Sequence, residues 1–122
     1  MKVLVVDDSE TVRVMVRNIL QQMDISVLEA ADGEEALQFL KGEHGIQFIL
    51  LDWEMPVMDG MEFLLKVRNE RLAESTKIIM LTTYTKRLNI LKAIDAGADE
   101  YIMKPFTSDI IIEKMQSLVD TY

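Results

Sequence analysis

A chain of 122 residues, 49% of them hydrophobic and 28% charged, with few glycines and prolines, is sized for one folded domain around a single core and leaves no room for a second. Its 21 Asp and Glu against 13 Lys and Arg give a net charge of -8, which opposes general attraction to nucleic acid or anionic lipid and favours protein partners, metal ions or small ligands. The absence of cysteine excludes disulfide and thiolate chemistry, and no apolar run is long enough for a membrane span or a signal-peptide core, so a cytoplasmic location is expected.

Short apolar runs alternate with amphipathic stretches from one end to the other. Val3 to Val6 reads as a strand, followed by Asp7, Asp8 and Ser9 at the entrance of a helix over about 10–23, where Val12, Val16, Ile19 and Met23 share a stripe at helical spacing. Ser26 to Glu29 is the second strand. Asp32 with Glu35 has capping-box spacing ahead of the second helix, and Gly42 is placed to end it in a left-handed conformation. His44, the single histidine, lies between Gly42 and Gly45 and reads as a surface loop residue, not a phosphodonor. Phe48 to Leu51 forms the third strand and runs directly into Asp52, after which Pro56 marks a tight loop and Asp59 with Glu62 repeats the capping-box spacing. Ile78 to Leu81 is the fourth strand, followed by Thr82 and Thr83, with Thr85 as a helix cap and Gly97 as a helix end. Tyr101 to Met103 is the fifth, followed by Lys104, Pro105 and a helix capped by Thr107. That helix carries Ile110, Ile111 and Ile112, more than one buried stripe requires, so one of them is a candidate for an exposed partner face near Tyr101.

Three of these strands are apolar at almost every position, as strands covered on both faces must be. Alternating βα units then imply right-handed crossovers and an open, doubly wound α/β sheet with helices on each side. Ligands of such sheets bind beyond the carboxyl ends of the strands, which singles out Asp7 and Asp8, Asp52, Thr82 and Thr83, and Lys104. Two carboxylates about 5 Å apart repel by roughly 3 kcal/mol at an effective dielectric near 20, so such a cluster calls for a cation. Hard oxygen ligands suit Mg²⁺, which also takes phosphate oxygens, while Lys104 offers a mobile positive charge and Thr82 a hydroxyl donor. A carboxylate beside Mg²⁺ and a lysine is equipped to accept a phosphoryl group.

The segments VLVVDDS, ILLDWEMPVMDG, IIMLTT and YIMKPF, in this order and each at the end of an expected strand, resemble the receiver domains of two-component response regulators. The resemblance covers residues 1 to about 120. The intervals of 45 residues from Asp7 to Asp52, 30 from Asp52 to Thr82 and 22 from Thr82 to Lys104 are most similar to the single-domain chemotaxis regulator type. The resemblance implies a flavodoxin-like (βα)5 fold with strand order 2-1-3-4-5. It implies that Asp52 is the phosphoacceptor, that Asp8, assisted by Asp7, and the backbone carbonyl of Glu54 complete an Mg²⁺ site with Asp52, and that Lys104 contacts the phosphoryl group. Thr82 and Tyr101 match the switch pair, Glu54 and Tyr84 match positions that tune loss of the phosphoryl group, and a cis peptide precedes Pro105. Thr83 is bulkier than the small residue usual at its position, which narrows access to Asp52.

The implied partners are a histidine kinase as phosphodonor and a downstream protein target such as a flagellar motor switch, with no nucleic acid and no membrane. No heptad pattern or large apolar patch demands an oligomer, so a monomer is expected, and no enzymatic activity beyond its own phosphotransfer and slow autodephosphorylation. Alternatives are a phosphorelay intermediate, the isolated receiver of a longer regulator, or an aspartyl-phosphate phosphatase of the haloacid dehalogenase type, whose nucleophile also ends a strand and is followed by an acid two residues on. Each site residue also has a bland reading: Asp7, Asp8 and Ser9 as helix caps, Lys104 as a solvated lysine, Tyr101 as a sheet-edge aromatic, and the nine methionines as adaptable core filler.

Overall fold

In the computed structural model, which describes residues 1–42, 45–83 and 87–119, strands and helices alternate without exception. The order is β1 (Lys2–Val6), α1 (Glu10–Gln21), β2 (Ser26–Ala30), α2 (Gly33–Gly42), β3 (Ile46–Asp52), α3 (Gly60–Asn69), β4 (Lys77–Thr82), α4 (Arg87–Asp95), β5 (Glu100–Met103) and α5 (Ser108–Val119). All strand pairings are parallel, in the order β2-β1-β3-β4-β5, so the expected doubly wound sheet is what the chain forms. The strand order reverses direction between β2 and β3, which places the switch point at the carboxyl ends of β1 and β3.

Side-chain alternation along the strands divides the core in two. Leu4, Val6, Ile49, Leu51, Ile78 and Met80 face Ala36, Leu37, Phe63, Leu64, Val67 and Ala93 of α2, α3 and α4. Val3, Val5, Phe48, Leu50, Ile79, Leu81 and Ile102 face Val16 and Leu20 of α1 and Ile111 and Met115 of α5. The continuous apolar runs are thereby explained: both faces of the central strands are dry.

Helix starts follow the expected chemistry. Ser9 Oγ accepts the Val12 N–H at 3.3 Å, Asp59 Oδ1 the Glu62 N–H at 2.9 Å, and Thr107 Oγ1 the Ile110 N–H at 3.4 Å. At α2, Asp32 Oδ1 accepts from Glu35 N–H at 2.9 Å, and Glu35 answers the Ala31 N–H at 3.4 Å.

Two helix ends differ from expectation. Gly42 is still helical and the left-handed glycine is Gly45, with φ of 80°; Gly97, with φ of 116°, ends α4 as anticipated. Met23 is exposed, because α1 stops at Gln21 and Asp24 turns the chain at φ of 60°. The buried stripe continues through Leu20 instead, whose carbonyl accepts the Ile25 N–H at 3.2 Å. His44, Thr85 and Tyr84 lie outside the described residues.

The amino-terminal edge of the sheet is tied by one arginine. Arg68 of α3 donates to the carbonyls of Gly97 (3.0 Å), Ala73 (2.9 Å) and Thr76 (3.0 Å) and to Asp99 Oδ2 (3.0 Å). The same Asp99 oxygen accepts the Ile78 N–H at 2.8 Å, so the beginnings of β4 and β5 and the end of α3 meet at a single guanidinium.

Candidate functional site

At the opposite edge, β1, β3, β4 and β5 each deliver a polar side chain. Asp7 is fully buried, Asp52 and Thr82 nearly so, and Asp8 is exposed. One carboxylate oxygen from each of Asp7, Asp8 and Asp52 can be chosen so that all lie within 4.8 Å of one another. Lys104 Nζ reaches across from the end of β5 to Asp7 Oδ2 at 2.8 Å and Asp52 Oδ1 at 3.1 Å. Lys104 is therefore not a solvated surface lysine, while Asp7 Oδ1 also accepts the Ser9 N–H at 2.9 Å at the entrance of α1, which Ser9 caps.

Asp52 is held in place by its strand and by the turn that follows. The Trp53 N–H extends the ladder to Leu81 O at 3.3 Å, and the Gly60 N–H returns to Trp53 O at 2.8 Å. A side chain at Gly60 would run into the Asp52 carbonyl oxygen and meet the Trp53 Cα at 2.9 Å, so only glycine lets the start of α3 close onto the end of β3. The turn also holds Val57 at φ of 69°, an uncommon conformation for a β-branched residue. The Lys104–Pro105 peptide is cis, and the Lys104 N–H joins Thr82 O at 2.9 Å, which couples β4 to β5 beside the cleft.

Burial pushes the Asp52 carboxyl up to about 6; the neighbouring Asp7 and, less strongly, Asp8 add to the rise, and the bond and charge of Lys104 oppose it. For Lys104 burial pulls downward, but its bonds to Asp7 and Asp52 and their charges outweigh it, so its pKa lies above the ordinary value. Among the described residues the site is an over-negative cluster held by one ammonium, and it has the donor set of a hard divalent cation: three carboxylates, oxygen ligands only, with the exposed Asp8 as the way in.

A cleft of about 530 Å³ opens over Asp52, lined by Asp8, Glu54, Thr82, Thr83 and Lys104, with Trp53 in its wall. Glu54 and Thr83 are exposed at its margin. A larger groove of about 640 Å³ lies along α2 among Asp32, Glu34, Glu35 and Phe39; it offers carboxylates without a facing lysine among its described lining residues, so size does not mark the chemistry. Tyr101 sits apart, half-buried in β5, with Lys114 Nζ 5.3 Å from its ring centre. Beside it Ile110 is the exposed member of the isoleucine trio, while Ile111 is buried.

Sequence reading passed over Arg13, whose Nη1 donates to the Asp7 carbonyl at 2.6 Å, and Glu29, which it approaches at 3.4 Å. A charged residue inside the second strand was the available signal.

Known proteins give the same picture. The family model described as "Response regulator receiver domain" matches residues 3–116. A chemotaxis protein CheY homolog of Campylobacter jejuni is 40% identical over 99% of this chain and 94% of its own length. Chemotaxis protein CheY1 of Helicobacter pylori is 38% identical over 99% and 98%. The structure of the chemotaxis response regulator CheY4 of Vibrio cholerae superposes with a TM-score of 0.89 at 38% identity, covering 96% of this chain and 97% of that one. With motifs, topology and relatives in agreement, the chain belongs to the response regulator receiver domains.

Proposed function

We propose that this receiver is a phosphorylation-switched, chemotaxis-type signalling module that takes a phosphoryl group from a histidine kinase onto Asp52. The observation that carries the reading is the Lys104 ammonium spanning Asp7 and Asp52 at the switch point of the sheet, at 2.8 and 3.1 Å. Asp7, Asp8, Asp52 and the backbone carbonyl of Glu54 would hold Mg²⁺, which when bound supplies positive charge for phosphoryl oxygens. An Asp52 carboxylate oxygen attacks phosphorus in line, the P–N bond of the donor phosphohistidine breaks, and the electron pair leaves with the imidazole, which picks up a proton from water. An acyl phosphate remains on Asp52. Lys104, already bonded to the acceptor, moves to the new phosphoryl oxygens and neutralises charge where it develops.

Thr82 and Tyr101 are the proposed readout. The Thr82 hydroxyl is drawn to the phosphoryl group, the end of β4 follows, and Tyr101 turns from its place beside Lys114. Reversing a 1:99 population to 99:1 requires about 5.5 kcal/mol, and one hydroxyl hydrogen bond contributes only about 1 to 3 kcal/mol. Lys104 and the repacked loop therefore share the work. The output is contact with a protein target, for which a flagellar motor switch fits the chemotaxis names of the relatives, and the chain acts as a cytoplasmic monomer with no turnover of external substrates.

The test is incubation of the intact chain with acetyl phosphate, with and without MgCl₂, followed by intact-mass measurement. One Mg²⁺-dependent phosphoryl adduct, absent in Asp52→Asn, supports the reading. No adduct on Asp52 removes it, and steady hydrolysis of external phosphate esters would replace it with a phosphatase.

A further inference from the structure

Asp7 is held at four points. Its N–H donates to Ala30 O at 3.0 Å, its Oδ1 accepts from Ser9 N–H at 2.9 Å, its Oδ2 accepts from Lys104 at 2.8 Å, and its carbonyl accepts from Arg13 Nη1 at 2.6 Å. The last contact differs from the others in what it controls. That carbonyl belongs to the peptide group whose nitrogen is Asp8, so the bond sets the plane from which Asp8 departs. The exposed Asp8 side chain has no hydrogen-bond partner of its own among the described residues, so its placement depends on the backbone beneath it.

Arg13 is itself held. Its side chain, only 16% exposed, stands 3.4 Å from Glu29 Oε1, and Glu29 Oε2 accepts from Arg17 Nη1 at 2.6 Å. Two arginines one turn apart on α1 thus grip a single carboxylate of β2 on either side. A guanidinium this far from water is costly to keep unless its bonds matter to the fold or to the site beside it.

Resting on the reading that the acidic cluster binds Mg²⁺, we infer that Arg13, steadied by Glu29 and Arg17, is a positioning residue that fixes the Asp7–Asp8 peptide and so presets Asp8 toward the cation site. Residues behind metal ligands act in this way by orienting them and sparing the ordering that binding otherwise requires. The alternative, that Arg13 matters only as a nearby charge, makes the opposite prediction. A cation beside a cation site repels its occupant, so removing it would tighten binding.

The experiment is a MgCl₂ titration of the intact chain followed by Trp53 fluorescence, comparing wild type, Arg13→Met and Arg13→Lys, with circular dichroism to verify folding. Arg13→Met keeps the apolar stem and loses the donors; it is expected to weaken Mg²⁺ affinity about tenfold. Arg13→Lys keeps the charge but gathers its donors on one nitrogen, so it loses the fork that reaches the Asp7 carbonyl and Glu29 together, and it should fall between. Equal or tighter binding by Arg13→Met overturns the inference while leaving the Mg²⁺ reading intact, whereas a wild type that does not respond overturns both. Should Arg13→Met fail to fold, Arg13→Lys decides: weaker binding than wild type supports positioning, and equal binding refutes it.

Discussion

Replacing Asp52 by Asn should make the metal-free protein more stable, by an amount that depends on pH. Asp52 rises from 3.8 to about 6 in the folded chain, through burial first and the charge of Asp7 next, with the pull of Lys104 already set against them. A tenfold change in proton affinity corresponds to about 1.4 kcal/mol, so ionised Asp52 costs the fold about 3 kcal/mol. Because the folded-state value lies above the unfolded one, the proton is bound more tightly in the native protein. The contribution of Asp52 to stability is then fully present below about pH 4 and is lost as pH rises from 4 through 6. Asn carries no such charge, so Asp52→Asn should match wild type near pH 4 and exceed it by about 3 kcal/mol at pH 8, roughly 10 °C in Tm for a chain of this size. Urea unfolding in EDTA, followed by circular dichroism at both pH values, measures this. Added MgCl₂ should close the gap by stabilising wild type, by about 2.7 kcal/mol at a hundredfold excess over Kd. A variant that is less stable than wild type at pH 8, or a difference that is the same at pH 4, would refute the claim that a buried charge only partly compensated by Lys104 governs this site.

Three further outcomes are expected. Thr82→Ala should leave phosphorylation of Asp52 intact and weaken binding of the phosphorylated chain to its target about tenfold, in keeping with one lost hydrogen bond; normal affinity in a pull-down or calorimetric titration would remove Thr82 from the switch. Glu54→Asn takes an anion from the margin of the cleft, so water should reach the acyl phosphate more easily and phosphate loss should speed up several-fold; an unchanged rate counts against a shielding role. Gly60→Ala forces a methyl against the Asp52 backbone and should destabilise by about 1 to 3 kcal/mol while slowing phosphorylation. Gly42→Ala, which meets nothing within 4 Å, should gain up to about 1 kcal/mol, and equal effects from the two would show that crowding at Asp52 is not the cause.

The central strands β1, β3 and β4 were legible because burial on both faces leaves their middles almost wholly apolar, and the site was legible because the fold puts chemistry where apolar runs stop. The edges were less so. Gln47 is exposed within β3, which hid the beginning of that strand, and the end of α2 passed Gly42 because a glycine can be the last helical residue as readily as the first one beyond. The end of α1 depended on Asp24 adopting a left-handed conformation, which a non-glycine residue does not advertise. Arg13 and Glu29 could not be paired from sequence at all. Their contact joins a helix to a strand through side-chain reach, and no local periodicity encodes it.

Arg68 and Asp52 stand at opposite ends of the same sheet, about 20 Å apart along a strand the length of β3. Among the described residues, the guanidinium knot of Arg68 with Gly97, Ala73, Thr76 and Asp99 shares no hydrogen bond with those that join Lys104 to Asp7 and Asp52. Substitutions at the exposed Glu54 or Thr83 can reshape the rim of the cleft while the anchoring end is undisturbed, so the two ends of one sheet are free to vary in sequence separately.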